Sequence, residues 1–133
     1  MAIITTKHLG QFRTESTGMK KGATITDAPA QYGGKGEYPT PVEIMAEALA
    51  ACAMTTLCMA AAKAGVNTDG AVVEVENIER DPEGSAVSSI TLHFHLSASI
   101  PEQQRKRLES FTQRGCTVGN SLKSKGNFIF DYE

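Results

Sequence analysis

TPVEIMAEALAACAMTTLCMAAAKAGV, residues 40–66, is the stretch that decides the fold. Thr40, Pro41 and Glu43 follow one another as an N-cap, an N1 proline and a capping-box acid, which predicts a helix starting at Pro41. Ala, Leu and Met fill its body, and all three are strong helix formers. Gly65 supplies the stop, and Lys63 stands in the last turn, where a cation suits the helix dipole. No charge occurs between Glu47 and Lys63, so no face is marked for water. A helix that is apolar nearly all round is surrounded by protein. The uncharged run falls short of the roughly 18 apolar residues that a bilayer span takes, so a core helix is expected. Near its middle lies a thiol, Cys52.

Outward from this helix, the chain has the make-up of one soluble domain, residues 1–133. Its apolar fraction of 41% and charged fraction of 21% are ordinary for a globular protein. Thirteen Lys and Arg against fifteen Asp and Glu give a net charge of −2, which makes no case for nucleic acid or an anionic membrane as partner. The start, MAIITTKHLGQF, lacks the basic and apolar segments of a signal peptide, so a cytoplasmic location is expected. Three cysteines in a reducing compartment speak for packing or redox work rather than a structural disulfide.

Before the helix, AIITTKH (2–8), QFRTEST (11–17) and ATITD (23–27) read as three short strands, and the Gly- and Pro-rich residues 28–39 as a loop. After it, 71–80 and 86–99 read as strands. In the second of these Ile90, Leu92, Phe94 and Leu96 alternate with Thr91, His93, His95 and Ser97, which assigns one face to a core and one to solvent. Ser99 and Glu102 stand at capping-box spacing, so a second helix is predicted over 99–115. Cys116 opens a short third helix, and NFIFDYE closes the chain as a strand. The order βββ-α-ββ-αα-β predicts an α+β fold with antiparallel sheets around the central Cys-bearing helix. One helix apolar all round needs more apolar partners than this chain offers, so a homodimer is expected.

The thiols carry the candidate chemistry. Cys52 lies about three turns from the helix N-terminus, beyond reach of the dipole, and a reactive thiolate there needs a nearby cation. Buried free cysteine is also a common apolar filler, and both readings stay open. Cys116, after Gly115 and before a helix, holds a position that favours its own thiolate. Cys58 falls on another face of the helix and reads as packing. His93 and His95 share one strand face at a spacing that would suit a metal, yet no third ligand is visible, and none is assigned. No P-loop, GxSxG or HExxH motif occurs.

Two segments taken together, GGKGEYPTPVEIMAEALAACAMT (33–55) and RGCTVGNSLKS (114–124), resemble the OsmC/Ohr family of osmotically inducible and organic-hydroperoxide-resistance proteins. The matching positions are Gly33-Gly34, Pro41-Val42-Glu43, Ala50-Ala51-Cys52 and Cys116-Thr117-Val118. The resemblance implies an intertwined homodimer and a peroxidase without metal, haem or other cofactor. In it Cys52 matches the peroxidatic cysteine, Cys116 the resolving cysteine, and Arg13 the cation that holds the thiolate. It also implies an organic hydroperoxide as substrate, in a pocket at the dimer interface lined by Val42, Met45, Leu49 and Met54, and an external dithiol, such as a lipoyl-protein, as reductant. Val42 stands where the peroxidase members carry a Glu that holds the Arg, as in a subgroup lacking that acid. Arg13 is therefore expected to lack its carboxylate partner. That departure motivates an alternative, a non-enzymatic redox sensor or small-ligand-binding protein.

Overall fold

The computed structural model describes residues 2–133, which divide into two units, 2–45 and 46–133. In the N-terminal unit three strands form an antiparallel meander: β1 (Ile4–Gly10), β2 (Arg13–Gly18) and β3 (Ala23–Thr26). The expected second strand started too early. Gln11 and Phe12, at φ 48° and 66°, form the turn itself, and the Phe12 N–H donates to His8 Nε2 at 3.1 Å. Two positive φ values are what a tight two-residue hairpin takes, because that backbone twist matches the strands. Asp27 was expected to end β3 but lies just beyond it. Its N–H donates to the Pro39 carbonyl at 3.0 Å and closes the 28–39 loop. Within that loop Gly34 allows no side chain, since a Cβ there would stand 2.0 Å from the Ala28 carbonyl oxygen.

The helix α1 (Pro41–Lys63) begins as its sequence dictates. Glu43 N–H donates to Thr40 Oγ1 at 3.2 Å, and Thr40 N–H donates to the Glu43 carboxylate at 2.8 Å, a closed capping box. It ends in paired hydrogen bonds from Val66 N–H to Ala61 O (2.9 Å) and Gly65 N–H to Ala62 O (3.0 Å), with Gly65 left-handed at φ 75°. One face, Ala46, Leu49, Ala50, Ala53, Leu57 and Ala61, is buried. The other, Ala48, Ala51, Thr55, Met59 and Ala62, is exposed although it is as apolar, and Met59 is 62% exposed. The helix is therefore not enclosed within its own chain. By length and composition it also reaches the range of a membrane span, contrary to the expectation from its uncharged centre. Core helices meet the same test, and the buried face is of that kind.

In the C-terminal unit β4 (Val72–Arg80), β5 (Val87–Leu96) and β6 (Lys125–Tyr132) form one sheet in the order β4-β5-β6. The mixed α+β class holds, with one correction: β5 and β6 run parallel, from Ser89↔Lys125 to Leu96↔Tyr132. A parallel neighbour needs a crossover long enough to return the chain, and α2 (Glu102–Gly115) with α3 (Thr117–Ser121) provides it. The capping box expected at Ser99 does not form. The Ser97 hydroxyl takes the Ser99 N–H instead (3.1 Å), and α2 starts three residues later, after Pro101. Arg105 anchors this helix by donating to the carbonyls of Ile100 (2.9 Å) and Ala98 (2.8 Å), and its guanidinium lies 4.3 Å from the Tyr132 ring centroid.

The alternation read along β5 is realised. Ile90, Leu92, Phe94 and Leu96 are buried, and Phe94 stacks on Phe130 with centroids 4.8 Å apart. Truncating a fully buried, stacked ring removes its transfer energy and leaves a cavity, so Phe94→Ala is expected to cost about 3–5 kcal/mol in chemical denaturation. A loss below about 1 kcal/mol would contradict this placement of the core.

On the outer face His93 and His95 stack with centroids 4.3 Å apart. His93 Nδ1 meets Glu76 at 2.7 Å and Nε2 meets Asp131 at 2.5 Å, while His95 Nε2 meets Glu74 at 2.6 Å and Nδ1 meets Glu133. Carboxylates only accept hydrogen bonds, so both nitrogens of both rings must carry protons, and this geometry fits two imidazolium ions. Hydrogen bonds to these carboxylates raise both histidines above the ordinary 6.5, although each ring's burial opposes the shift and His93 also opposes it at His95. A raised folded pKa contributes stability that is fully present below 6.5 and is lost as pH rises through the raised value. The denaturation midpoint should therefore fall with rising pH above 6.5, and the double variant His93→Gln/His95→Gln should flatten that decline. An unchanged slope in the variant would show that the pair does not titrate with folding.

Candidate functional site: paired thiols at the start of α3

The C-terminal end of α2 comes close to α1 because Gly115 has no side chain. A Cβ there would lie 3.2 Å from Thr56 Cγ2 and 3.5 Å from the Phe111 ring. Directly after it Cys116 joins α2 to α3 with φ −74° and ψ 104°. Asn120 ties the corner together: its side-chain N–H2 donates to the Arg114 carbonyl (2.9 Å) and its backbone N–H to the Cys116 carbonyl (2.9 Å). Cys116 is fully buried, and its sulfur accepts the Gly119 N–H at 3.4 Å.

This corner delivers two backbone N–H groups and a thiol to Cys52. The Val118 amide is the largest influence holding the Cys52 thiol below its usual range, with the Cys116 thiol and the Thr117 amide adding to it, while partial burial opposes them. Thr56 contributes less than its proximity suggests. Its hydroxyl has one proton, and that proton goes to the Cys52 carbonyl at 2.8 Å. Cys116 moves the other way, pushed up first by burial, with the Gly119 amide opposing and donation to Cys52 adding to the rise. Of the pair, Cys52 is the thiol shifted toward ionisation and Cys116 the one shifted away from it. This reverses the expectation that the helix start would ionise Cys116: the amides of α3 serve its neighbour. A thiol shifted toward ionisation with a second sulfur beside it is an arrangement suited to thiol–disulfide chemistry.

Leu49 is buried one turn before Cys52 and lines a cavity of about 140 Å³ with Gly119, Asn120, Leu122 and Phe128. Met54, half-buried, lies five residues on and so points about 140° away round the helix. Leu49 and Met54 therefore lie on different sides of α1 within one chain. Val42 and Met45 are half-buried in the first turns of α1, in the N-terminal unit. Cys58 is half-buried, about 120° round the helix from Cys52.

Arg13 also belongs to the N-terminal unit, and there the structure overturns an expectation. Despite Val42, the guanidinium does not lack a carboxylate. Nε and Nη2 donate to the two Asp27 oxygens at 2.7 and 2.8 Å, Nη2 also reaches Glu37 at 2.5 Å, and the Tyr38 ring lies 4.7 Å away. The Asp27 carboxylate is fully buried and accepts the N–H groups of Glu37 (2.9 Å) and Tyr38 (3.1 Å). The hydrogen bonds from Arg13 hold it well below the usual carboxylate range, although its burial opposes them. Sequence reading missed Asp27. Its one signal was a lone acid at a strand end facing a Gly-rich loop. Among the described residues no group of three or more His, Cys, Asp or Glu is arranged to hold a metal ion.

Comparison with known proteins follows this geometry. The family model described as OsmC-like protein matches residues 34–129, which include both Cys52 and Cys116. Among curated proteins no sequence matches significantly. Several solved structures share the fold. A putative osmotic stress induced and detoxification response protein from Psychrobacter arcticus 273-4 is 24% identical, with TM-score 0.87 over 98% of this chain and 96% of that one. An OsmC-like protein from Mycoplasma pneumoniae is 18% identical, with TM-score 0.80 over 97% and 94% of the two chains. An organic hydroperoxide resistance protein OsmC from Legionella pneumophila is 19% identical, with TM-score 0.69 over 96% and 93%.

Proposed function

The chain belongs to the OsmC-like family, and from that premise we propose that it reduces organic hydroperoxides through Cys52 and Cys116, drawing electrons from an external dithiol. Solved relatives named as organic hydroperoxide resistance proteins support such a role at the level of the family. What supports the reading is the α2–α3 corner, where the Gly119 N–H meets the Cys116 sulfur at 3.4 Å and the Val118 amide, the Cys116 thiol and the Thr117 amide favour an ionised Cys52.

The Cys52 thiolate attacks the terminal oxygen of ROOH. The O–O bond breaks, the alcohol ROH leaves with the hydroperoxide's own proton, and Cys52 becomes a sulfenate, which takes a proton from solvent to give the sulfenic acid. The Cys116 sulfur then attacks the Cys52 sulfur, giving up its proton as water departs, and a disulfide forms. A dithiol reopens it by exchange, is itself oxidised to a disulfide, and returns both cysteines as thiols. This cycle needs a reducing compartment, so the proposal places the protein in the cytoplasm.

A second copy of the chain completes the proposal. The exposed apolar stripe Ala48, Ala51, Thr55, Met59 and Ala62 has the make-up of an obligate interface. The alternative of a non-enzymatic sensor rested on Val42 leaving Arg13 without a carboxylate. Asp27 and Glu37 fill that part.

One equivalent of cumene hydroperoxide added to the reduced protein, followed by non-reducing peptide mapping, tests the reading. The expected product is a Cys52–Cys116 disulfide with one equivalent of alcohol. Unchanged thiols, or Cys58 in the disulfide, would sink it. Arg13 enters through the family resemblance alone, and Arg13→Gln in the same assay should slow Cys52 oxidation if that role holds here.

A further inference from the structure

Cys116 is the joint between two helices, the C-cap of α2 and the N-cap of α3, and its φ and ψ set the direction in which α3 runs. The α2 side of the joint is packed on α1, so closely that a Cβ on Gly115 would stand 3.2 Å from Thr56 Cγ2. The α3 side has less to hold it. Five residues are too few for a helix to persist by itself, and none of the five is buried. Ser121 Oγ donates to the Thr117 carbonyl at 2.8 Å and Asn120 N–H to the Cys116 carbonyl at 2.9 Å, but these bonds lie within α3 and its cap. Among the described residues one side-chain hydrogen bond joins α3 to α2: Asn120 Nδ2 donates to the Arg114 carbonyl at 2.9 Å. A carbonyl only accepts, so the NH2 end of this amide must face it. The bond also serves one of the last four carbonyls of α2, which have no partner inside their own helix. Asn120 is itself exposed, so burial does not explain its place.

What α3 aims is its backbone N–H groups. Gly119 N–H meets the Cys116 sulfur at 3.4 Å, and the Val118 and Thr117 amides favour an ionised Cys52. A rotation at Cys116 would move all three at once. We infer that Asn120 is a positioning residue of the paired thiols: its side-chain amide fixes α3 against the end of α2 and so holds the α3 N–H groups on the sulfurs of Cys52 and Cys116. It acts through the backbone of residues 117–119. The inference rests on the two cysteines working as a pair, and it adds a requirement at position 120, a side chain that donates at this reach. Leu has nearly the shape of Asn and no donor. Gln carries the same amide on one further methylene.

Asn120→Leu and Asn120→Gln, each shown by circular dichroism to be folded, test this beside the unaltered full-length protein in two measurements. The first is alkylation of Cys52 across a pH series. The second is the rate at which the Cys52–Cys116 disulfide forms with diamide, which is reduced to the hydrazine as the two thiols give up two electrons and two protons. In Asn120→Leu the pH of half-reaction of Cys52 should rise, and disulfide formation should slow roughly tenfold, because an oriented partner is misplaced. Asn120→Gln should recover most of both. An unchanged Cys52 profile in Asn120→Leu overturns the inference whatever the disulfide rate, since a role that is structural only leaves that profile in place. So does an Asn120→Gln protein no better than Asn120→Leu. Diamide keeps this outcome apart from that of the proposed function. If the unaltered protein forms the disulfide with diamide but not with cumene hydroperoxide, the hydroperoxide reading fails and the role of Asn120 is still decided by the variants. No disulfide with either oxidant overturns both.

Discussion

Cys52→Ser should consume cumene hydroperoxide roughly 10³-fold or more slowly than the unaltered protein, because a hydroxyl in place of a thiolate is a far weaker nucleophile. The substitution is nearly isosteric at a half-buried position, so the fold should survive and the loss should be one of chemistry. Cys58→Ser is the matched control and should leave the rate unchanged, since Cys58 lies about 120° round the helix. The measurement is peroxide consumption under saturating dithiol, with circular dichroism to verify folding. If Cys52→Ser retains a rate near that of the unaltered protein, the chemistry is elsewhere and the proposed function fails.

The second large effect is expected at Cys116. Removing its sulfur leaves the first oxidation intact, because the amides of Val118 and Thr117 still face Cys52. The next step loses its partner. An oriented intramolecular nucleophile has an effective molarity of about 10⁵ M or more, far above any dithiol in solution. Cys116→Ser should therefore accumulate the Cys52 sulfenic acid, trapped as a dimedone adduct, and slow steady turnover at millimolar dithiol by roughly 10²-fold or more. Normal turnover in this variant, with no adduct, would show that Cys116 does not resolve the intermediate.

What the sequence made legible is what local chemistry dictates. Thr40 and Glu43 can cap only their own helix, and the period of two along Ile90 to Leu96 has one burial solution, so both were readable. The direction of β6 was not, because pairing with β5 depends on how the α2–α3 crossover returns the chain, and no residue in NFIFDYE encodes that. The face of α1 was hidden for a different reason. Ala, Leu and Met occur on both sides, so only the structure separates Ala53 and Leu57 from Ala51 and Met59.

At the site, both cysteines were legible as candidates, but the helix-start reading of Cys116 pointed to the wrong sulfur. A helix start beside Cys116 suggested that its own sulfur would ionise. Burial outweighs that, and the amides reach across to a sulfur distant in sequence. Asp27 was missed for a similar reason: its role comes from Arg13 on another strand and from the N–H groups of Glu37 and Tyr38 in a loop, a convergence that no spacing rule encodes.

The central claim is that Cys52 holds the ionised sulfur and Cys116 the protonated one beside it. Alkylation of the Cys58→Ser protein across a pH series, with the Cys52 and Cys116 peptides quantified separately, reads each thiol directly. The account predicts that Cys52 reactivity reaches half its plateau below the free-cysteine pKa of about 8.5 while Cys116 stays unreactive through the same range. Half-reaction of Cys52 at or above that value, or modification of Cys116 first, would contradict it.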